Sequence, residues 1–182
     1  MLISEPILIK QEKTFEDLRG TFFESYKKSH FLQKYNFNET FVQENHSIST
    51  KNVIRGLHYQ WQPPMGKLVR VVKGEILDVI VDIRKTSENF GKIYKYVLSE
   101  QNKNQLYVPP GFAHGFAAYA SENIVLYKCT REYNKNGESG INPTDESLNI
   151  DWGIDKDNII ISEKDSLAKT FEEYKNEEYR FN

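Results

Sequence analysis

Short runs in which apolar and polar residues alternate cover most of the chain, and they predict an all-β fold. The clearest run is residues 67–84, where Val and Ile are concentrated on both sides of Lys73-Gly74. Two such runs joined by a short turn are typical of a β-hairpin. Further strands are predicted over residues 40–49, 92–99, 105–108, 114–119 and 124–131. Many short strands favour a jelly roll or barrel over an α/β fold.

Helix is predicted at only two places. A weak candidate lies near residues 27–35, and a stronger one follows Ser162, where Ser-Glu-Lys-Asp has the spacing of a capping box with an acidic third residue. The chain has 182 residues, no internal repeat and no linker, which suits one domain with its own core. We therefore predict a single domain over residues 1–182, with short helices at its periphery and near its C-terminal end.

Cysteine use, charge and the N-terminal residues narrow the expected environment. Cys129 is the only cysteine, so no intrachain disulfide can form. In the first twenty residues, charges at Glu5, Lys10 and Glu12 interrupt every apolar stretch before it reaches signal-peptide or membrane-span length. The net charge is -2, with both signs interspersed. These features predict a cytoplasmic protein with neither nucleic acid nor a membrane as its partner.

Alternation within the strands indicates which polar side chains share the barrel interior, because successive side chains point to opposite faces. The predicted shared faces are Gly56/His58/Gln60, Val125/Tyr127/Cys129/Arg131 and Asp78/Ile80/Asp82. Polar groups inside a barrel destabilise it unless they pair with each other or bind a ligand. The pattern therefore predicts a site inside the barrel. Asp78 and Asp82 are predicted to be structural partners of buried cations and are left out of that site.

An ordered set of motifs resembles the dTDP-4-dehydrorhamnose 3,5-epimerases and their nucleotide-sugar epimerase relatives. The motifs are DLRGTFFES (17–25), FVQENHSIS (41–49), IRGLHYQ (54–60), GKLVRVVKGEILDVIVDIR (66–84), FGKIYKYVLS (90–99), QLYVPPGFAHGF (105–116), LYKCTREY (126–133), ESGI (138–141) and ISEKD (161–165). So many matches in the same order cover nearly the whole chain and make chance similarity implausible. The resemblance implies a cupin-like jelly roll that works as a homodimer, without a metal or a nicotinamide cofactor.

For catalysis, the resemblance implies an acid–base pair. It makes His58 the general base and Tyr127 the opposing acid. Asp165 matches the carboxylate that orients His58, and Lys67 matches a cation beside the carbonyl oxygen of the sugar. Inverting a carbon next to a keto group needs a base on one face, an acid on the other and donors that stabilise the enolate. The usual pKa values of histidine, about 6.5, and tyrosine, about 10, suit these two roles at neutral pH.

For binding, the resemblance implies a nucleotide-diphosphate 4-keto sugar as the partner and inversion at C3 and C5 as the reaction. The substrate-lining positions that match are Gln43, Asn45, Arg55, His114, Tyr133, Glu138 and Lys164. Arg19 and Phe22, within the sequence RGTF, are expected to reach the cavity of a second subunit. His114 is a further candidate to hold the developing oxyanion together with Lys67.

Several alternatives remain open at this point. Residues 109–115 have the P-x-G-x-x-H spacing of a metal cupin, but His58-Tyr59-Gln60 stands where such proteins usually present His-x-His, so no metal is expected. A noncatalytic sugar-binding barrel would need no opposed His and Tyr. Among isomerases, a 3-only epimerase and a 3,4-ketoisomerase stay open. A dTDP-hexose and a GDP-linked hexose or heptose also stay open, because Ile48 and Asn142 depart from the family pattern near the expected ligand periphery.

Some of these residues also have plain structural interpretations. Asp165 could cap the helix that follows Ser162, and this role is compatible with orienting His58. Tyr127 and Tyr133 could be core aromatics whose hydroxyls bond to backbone. Lys67 and Arg55 could be solvated strand ends. The contacts of these side chains in the folded chain distinguish the two sets of roles.

Overall fold

The strands form two facing antiparallel sheets. A computed structural model describes residues 4–178 and 181. Its strands are β1 (Ile7–Ile9), β2 (Phe15–Asp17), β3 (Gly20–Phe22), β4 (Gln43–Thr50), β5 (Ile54–Gln60), β6 (Lys67–Lys73), β7 (Glu75–Asp82), β8 (Ile93–Ser99), β9 (Gln105–Val108), β10 (Phe112–Ala118), β11 (Glu122–Cys129) and β12 (Glu138–Gly140). One sheet has the order β1-β9-β6-β11-β4 and the other β12-β5-β10-β7-β8, while β2 and β3 form a separate hairpin. This architecture confirms the predicted all-β jelly roll.

The predicted hairpin over residues 67–84 is present as β6 and β7. Its turn residue, Gly74, has φ +82°, and a Cβ there would lie 2.5 Å from the carbonyl oxygen of Glu122. Glycine is therefore required both by the backbone conformation and by the close approach of the first residue of β11. Gly74 is therefore the residue that marks the position of this turn in the sequence.

The predicted strand over residues 124–131 is two residues too long at its C-terminal end. Strand β11 ends at Cys129, and the amide of Thr130 donates to the carbonyl oxygen of Gly66. Because the chain leaves the sheet there, Arg131 is exposed and its guanidinium bonds the carbonyl oxygen of Thr130. The expectation that Arg131 shares the interior face with Tyr127 is therefore wrong.

Both predicted helices are present, and a third follows them. The first, α1 (Lys28–Tyr35), ends at Asn36 in the left-handed conformation. The second, α2 (Glu163–Ser166), begins after Ser162, whose hydroxyl accepts the amide of Asp165 as the capping spacing predicts. The third, α3 (Phe171–Asn176), has a complete capping box between Thr170 and Glu173. Among the described residues, no helix is long and apolar enough to span a membrane.

Apolar side chains form three layers that leave one part of the barrel interior for polar groups. Between the sheets, the layer includes Val69, Ile80, Leu106 and Val125. Outside the second sheet, Leu57, Val79 and Ile83 pack against residues from the C-terminal segment, including Trp152 and Phe171. Outside the first sheet, Leu68 and Tyr107 pack against Phe31 and Phe37. Each buried Leu or Ile contributes about 1.5–3 kcal/mol, so the helices and the C-terminal segment stabilise the barrel from outside.

Candidate active site

A cavity of about 460 Å³ lies between the two sheets. Its walls come from β4, β6 and β11 on one side, from β5 and β10 on the other, and from the segment that leads into α2. Seven of the predicted site residues line it: Arg55, His58, Lys67, His114, Tyr127, Lys164 and Asp165. The predicted interior site therefore corresponds to a cavity built by both sheets.

His58 is held by the carboxylate of Asp165. The distance from His58 Nε2 to Asp165 Oδ1 is 2.7 Å, and the amide of Gly56 donates to Asp165 Oδ2 at 3.2 Å. Gly56 has φ +120°, and a Cβ there would lie 2.6 Å from the Cα of Gly115, so only glycine fits at this crossing of β5 and β10. Burial raises the pKa of Asp165, but the bond and charge of His58 and the Gly56 amide outweigh it, and the net shift is downward.

The segment before α2 places Asp165 beside β5. Ile160 forms a parallel bridge with Val53, and the amide of Ile54 donates to the carbonyl oxygen of Ile160 at 2.8 Å. The chain then turns into α2, whose capping residue Ser162 also lines the cavity. The capping and orienting roles of this motif therefore coexist, because Asp165 uses its amide for the cap and its carboxylate for His58.

A second histidine–carboxylate pair lies next to the first. His114 is the register partner of His58 across β10 and β5. Its Nε2 lies 2.9 Å from Oδ2 of Asp78, whose side chain is fully buried. Asp78 was predicted to pair with a buried cation outside the site, and its partner in the folded chain is a histidine that lines the cavity. Asp82 does pair with a cation, as expected, since Arg84 Nη2 contacts it.

Tyr127 and Lys67 approach the cavity from the opposite sheet. Burial is the main cause that raises the pKa of the Tyr127 hydroxyl, while a bond with Asn45, its register partner on β4, acts the other way. Burial lowers the pKa of Lys67, and the nearby groups Cys129 and Asp78 oppose this shift. The cavity thus holds a phenol that remains protonated, and a lysine whose positive charge is destabilised by burial, across from the two histidines.

Four further predicted residues form a hydrogen-bonded rim that joins the cavity wall. Tyr133 donates its hydroxyl to Glu138 Oε1 at 2.9 Å, and Lys164 donates to the same oxygen. The amide of Tyr133 donates to Gln43 Oε1 at 2.8 Å, and Gln43 Nε2 donates to Asn45 Oδ1 at 2.9 Å. Burial raises the pKa of Glu138, but the bonds from Lys164 and Tyr133 give a net downward shift. Tyr133 is 54% exposed, so it is not a core aromatic.

Arg55 is oriented at the exposed side of the cavity. Its Nε donates to Ser49 Oγ at 2.9 Å, and its Nη2 donates to the carbonyl oxygen of Ile48 at 3.1 Å. A guanidinium carries five N–H donors, so several remain for a ligand. The backbone of Ile48 thus helps to hold the guanidinium of Arg55 in place.

Arg19 and Phe22 lie outside the cavity of their own chain. Both belong to the β2–β3 hairpin, where Arg19 Nη2 bonds Asp17 Oδ2 at 2.6 Å. The hairpin exposes large apolar side chains, with Phe15 at 61%, Leu18 at 108% and Phe22 at 71%. Exposed apolar side chains concentrated on one small element are typical of an interaction surface.

The structure adds cavity residues that sequence reasoning missed. Ser47 and Phe116 line the cavity, and Ile160 and Ile161 form part of its wall. The interior parity of β4, which carries Asn45, could have identified Ser47, because the two residues are two apart. Within residues 4–178 and 181, no three His, Cys, Asp or Glu side chains gather in a group that could hold a metal ion.

Comparisons with known proteins identify one family of enzymes. The family model described as dTDP-4-dehydrorhamnose 3,5-epimerase matches residues 2–173. The chain is 47% identical over 166 residues to dTDP-4-dehydrorhamnose 3,5-epimerase from Shigella flexneri, with 91% of both chains covered. It resembles the crystal structure of dTDP-4-dehydrorhamnose 3,5-epimerase from Elizabethkingia anophelis, with 42% identity, a TM-score of 0.86 and 93% of both chains covered.

A further solved structure contains a sugar nucleotide. It is dTDP-6-deoxy-D-glucose-3,5-epimerase from Legionella pneumophila in complex with dTDP-4-keto-L-rhamnose. The chain is 39% identical to it, with a TM-score of 0.84, and the match covers 91% of this chain and 93% of that one.

Proposed function

The chain belongs to the dTDP-4-dehydrorhamnose 3,5-epimerase family, and we propose that it inverts C3 and C5 of a dTDP-linked 4-keto-6-deoxy hexose. The observation that carries this function is the cavity in which the His58–Asp165 pair on one sheet faces Tyr127 on the other. Epimerisation needs a base and an acid on opposite faces of the same carbon. The function is therefore an isomerase reaction carried by these side chains.

In the proposed reaction, His58 removes the proton from the carbon next to the keto group. The electron pair of the C–H bond forms the enolate, and its negative charge resides largely on the C4 oxygen. Lys67 donates a hydrogen bond to that oxygen. Tyr127 then gives its hydroxyl proton to the opposite face of the carbon, and exchange with solvent returns both side chains to their starting protonation states. The raised pKa of Tyr127 keeps the hydroxyl protonated until this step.

Asp165 supports the base during proton transfer. An ionised carboxylate accepts the N–H of His58 Nε2, so it fixes the ring and stabilises the imidazolium that forms. Its lowered pKa keeps it ionised at neutral pH. The same cycle operates at C3 and at C5 after the sugar presents each carbon to the base. No step transfers electrons, so the proposal includes neither a nicotinamide cofactor nor a metal.

The proposed grip on the diphosphate uses Arg55 together with Arg19 from a second copy of the chain. The overall charge is slightly negative, so the cations that bind a diphosphate must be local. Arg55 lies at the cavity, whereas Arg19 sits on the exposed hairpin with Phe22. A homodimer in which each hairpin covers the partner's cavity would bury this apolar surface. A fully active monomer in solution would contradict this assignment.

The proposed substrate carries dTDP, because the similar proteins named above are dTDP-sugar enzymes. These similar proteins are 3,5-epimerases, which favours 3,5-inversion over the 3-only epimerase and the 3,4-ketoisomerase. A noncatalytic sugar-binding barrel would not require the buried carboxylate that holds His58. We further propose a cytoplasmic location, where nucleotide sugars are made.

The test is deuterium mapping in D₂O. The purified protein is incubated with dTDP-4-keto-6-deoxyglucose, and NMR locates deuterium and the configuration at C3 and C5. The wild type should label and invert both carbons. Tyr127→Phe keeps the ring and loses the hydroxyl, so we expect labelling to persist while the doubly inverted product falls by about 10²-fold, the scale of a lost general acid.

Tyr107→Phe is the matched control, because Tyr107 belongs to the apolar layer outside the first sheet. It should retain normal inversion. Labelling at C3 alone in the wild type would favour the 3-only epimerase, and absence of labelling with dTDP and GDP sugars would refute the function. Normal double inversion by Tyr127→Phe would exclude Tyr127 as the acid.

A further inference from the structure

Strand β7 carries two aspartates on the same face, and their surroundings differ. Asp78 and Asp82 are both fully buried. Asp82 accepts bonds from the amide, Nε and Nη2 of Arg84 and from the hydroxyl of Ser87, so both of its oxygens are satisfied. This pattern is typical of a structural carboxylate, which anchors the chain where β7 ends.

Asp78 lacks such a set of partners. Its Oδ2 bonds His114 Nε2, whereas its Oδ1 is buried and has no hydrogen-bond partner within residues 4–178 and 181. Its neighbours in the adjacent strands are Phe116 and Tyr96. A buried carboxylate oxygen without a partner destabilises a fold. Stability therefore does not account for an aspartate at this position, and its one bond leads into the cavity.

The bond to Asp78 determines how His114 meets a ligand. A carboxylate in this pair acts as the acceptor, and this assignment puts a proton on the Nε2 of His114. In a neutral imidazole the other nitrogen, Nδ1, is then an acceptor. His114 lines the cavity together with Lys67, whose N–H groups donate hydrogen bonds. The pair thus offers one acceptor and one donor to the same ligand.

We propose that Asp78 is a positioning residue that holds His114 as the acceptor for the C3 hydroxyl of the sugar, next to the keto oxygen that Lys67 binds. This inference rests on the proposed function. A 3-hydroxy-4-keto sugar has a hydroxyl that can donate a hydrogen bond next to a carbonyl oxygen that can accept one. His114 would accept from the hydroxyl, and Lys67 would donate to the carbonyl oxygen. Asp78 in this way selects sugars that carry a hydroxyl next to the keto group.

The other titratable groups that line the cavity with His114 are Arg55, His58, Lys67, Tyr127, Lys164 and Asp165. Tyr96 on β8 interacts electrostatically with Asp78, and Lys67 interacts with Asp78, Cys129 and Glu138. Only Asp78 is hydrogen-bonded to the His114 ring among the described residues. A change confined to Asp78 is therefore the direct way to alter the protonated nitrogen of His114.

The first part of the test determines by NMR which nitrogen of the His114 ring carries the proton. Protein labelled with ¹⁵N-histidine is examined by NMR at a pH where His114 is neutral, and His114→Gln assigns its signal by loss. The wild type should show Nε2 protonated and Nδ1 unprotonated. In Asp78→Asn, the amide can donate to Nε2, so the Nδ1–H form should gain population. Asp82→Asn is the matched control, with the same strand, face and burial, and it should leave the His114 signal unchanged.

The second part compares the dTDP-4-keto sugar with its 3-deoxy analogue, and follows deuterium exchange at C5. With the hydroxylated sugar, Asp78→Asn should lower kcat/KM by about 10-fold, the upper end of the scale for one lost hydrogen bond between neutral groups. With the 3-deoxy analogue, the variant and the wild type should be equal. Asp82→Asn should match the wild type with both sugars, although it unfolds at a lower temperature.

The outcomes separate this inference from the proposed function. Equal loss on both sugars, or an unchanged His114 signal in Asp78→Asn, would overturn the role of Asp78 while the wild type remains an epimerase. A wild type without exchange on the hydroxylated sugar would overturn the function, and with it the C3-hydroxyl acceptor role. If Asp78→Asn does not fold, a wild-type His114 that carries its proton on Nδ1 is sufficient to refute the inference.

Discussion

The two histidine–carboxylate pairs of the cavity are neighbours, yet they are built differently. His58 and His114 face each other across β5 and β10. The His58 side chain is 34% exposed, and its partner Asp165 also receives the Gly56 amide. The His114 side chain is 8% exposed, and its partner Asp78 has one oxygen without a partner among the described residues.

This difference in exposure and in hydrogen bonding to the carboxylate fits the two roles proposed for His58 and His114. A base must reach the substrate and exchange its proton with solvent, which requires the accessible ring of His58 and a carboxylate whose charge is well supported. A histidine that only orients the sugar needs a fixed ring, and burial against Asp78 supplies this. In the roles proposed above, the same kind of residue pair transfers a proton in one place and positions a ligand in the other, depending on the exposure of the ring and on the hydrogen bonds to the carboxylate.

The largest effect should follow the loss of the accessible ring. His58→Asn keeps a polar side chain of similar bulk without a useful base, so exchange at C3 and C5 should fall by at least ~10²-fold. Deuterium incorporation followed by NMR is the measurement. His30→Asn, on the exposed face of α1, is the control and should exchange normally. Normal exchange by His58→Asn would refute His58 as the base.

A smaller loss of activity is expected when His58 is kept and the carboxylate of Asp165 is replaced by a neutral amide. Asp165→Asn loses the charge that stabilises the His58 imidazolium, so kcat should fall by about 10–100-fold, the scale of a hydrogen bond to a charged group. The substrate KM should change little. Asp145→Asn is the control, because Asp145 also accepts backbone amides, from Phe171 and Ser147, but lies outside the cavity. Equal kinetics for Asp165→Asn and wild type would show that His58 acts without its partner.

The smallest effect concerns stability in acid. The pKa of Asp165 is lowered in the folded chain, so its contribution to stability is complete above the unfolded value of about 3.9 and is lost as the pH falls through the folded value. Asp165→Asn should therefore be less stable than the wild type at pH 6, and the gap should narrow below about pH 4. Urea unfolding across this range measures the gap. A gap that stays constant with pH would contradict the linkage.

Local patterns along the chain were enough to predict the class of fold, most strand positions and most of the sets of residues that share a face. Period-two alternation identified β6 and β7, and Gly74 identified the turn between them, because both signals are local. Ser162 likewise marked the start of α2. The motifs around His58, Tyr127 and Asp165 indicated the reaction through their resemblance to a known family.

Which of these residues come into contact depends on the folded chain, because the contacts join positions far apart in the sequence. His58 and Asp165 are 107 positions apart, and their contact depends on the path of the C-terminal segment beside β5. The link between Asp78 and His114 depends on the register of β10 against β7, and a register shift follows His114 in its pairing with β5. Alternation specifies the face of a side chain but not the register between distant strands, since register is set by packing across the whole barrel. For that reason the sequence assigned Asp78 to the interior, and the folded barrel made it the partner of His114.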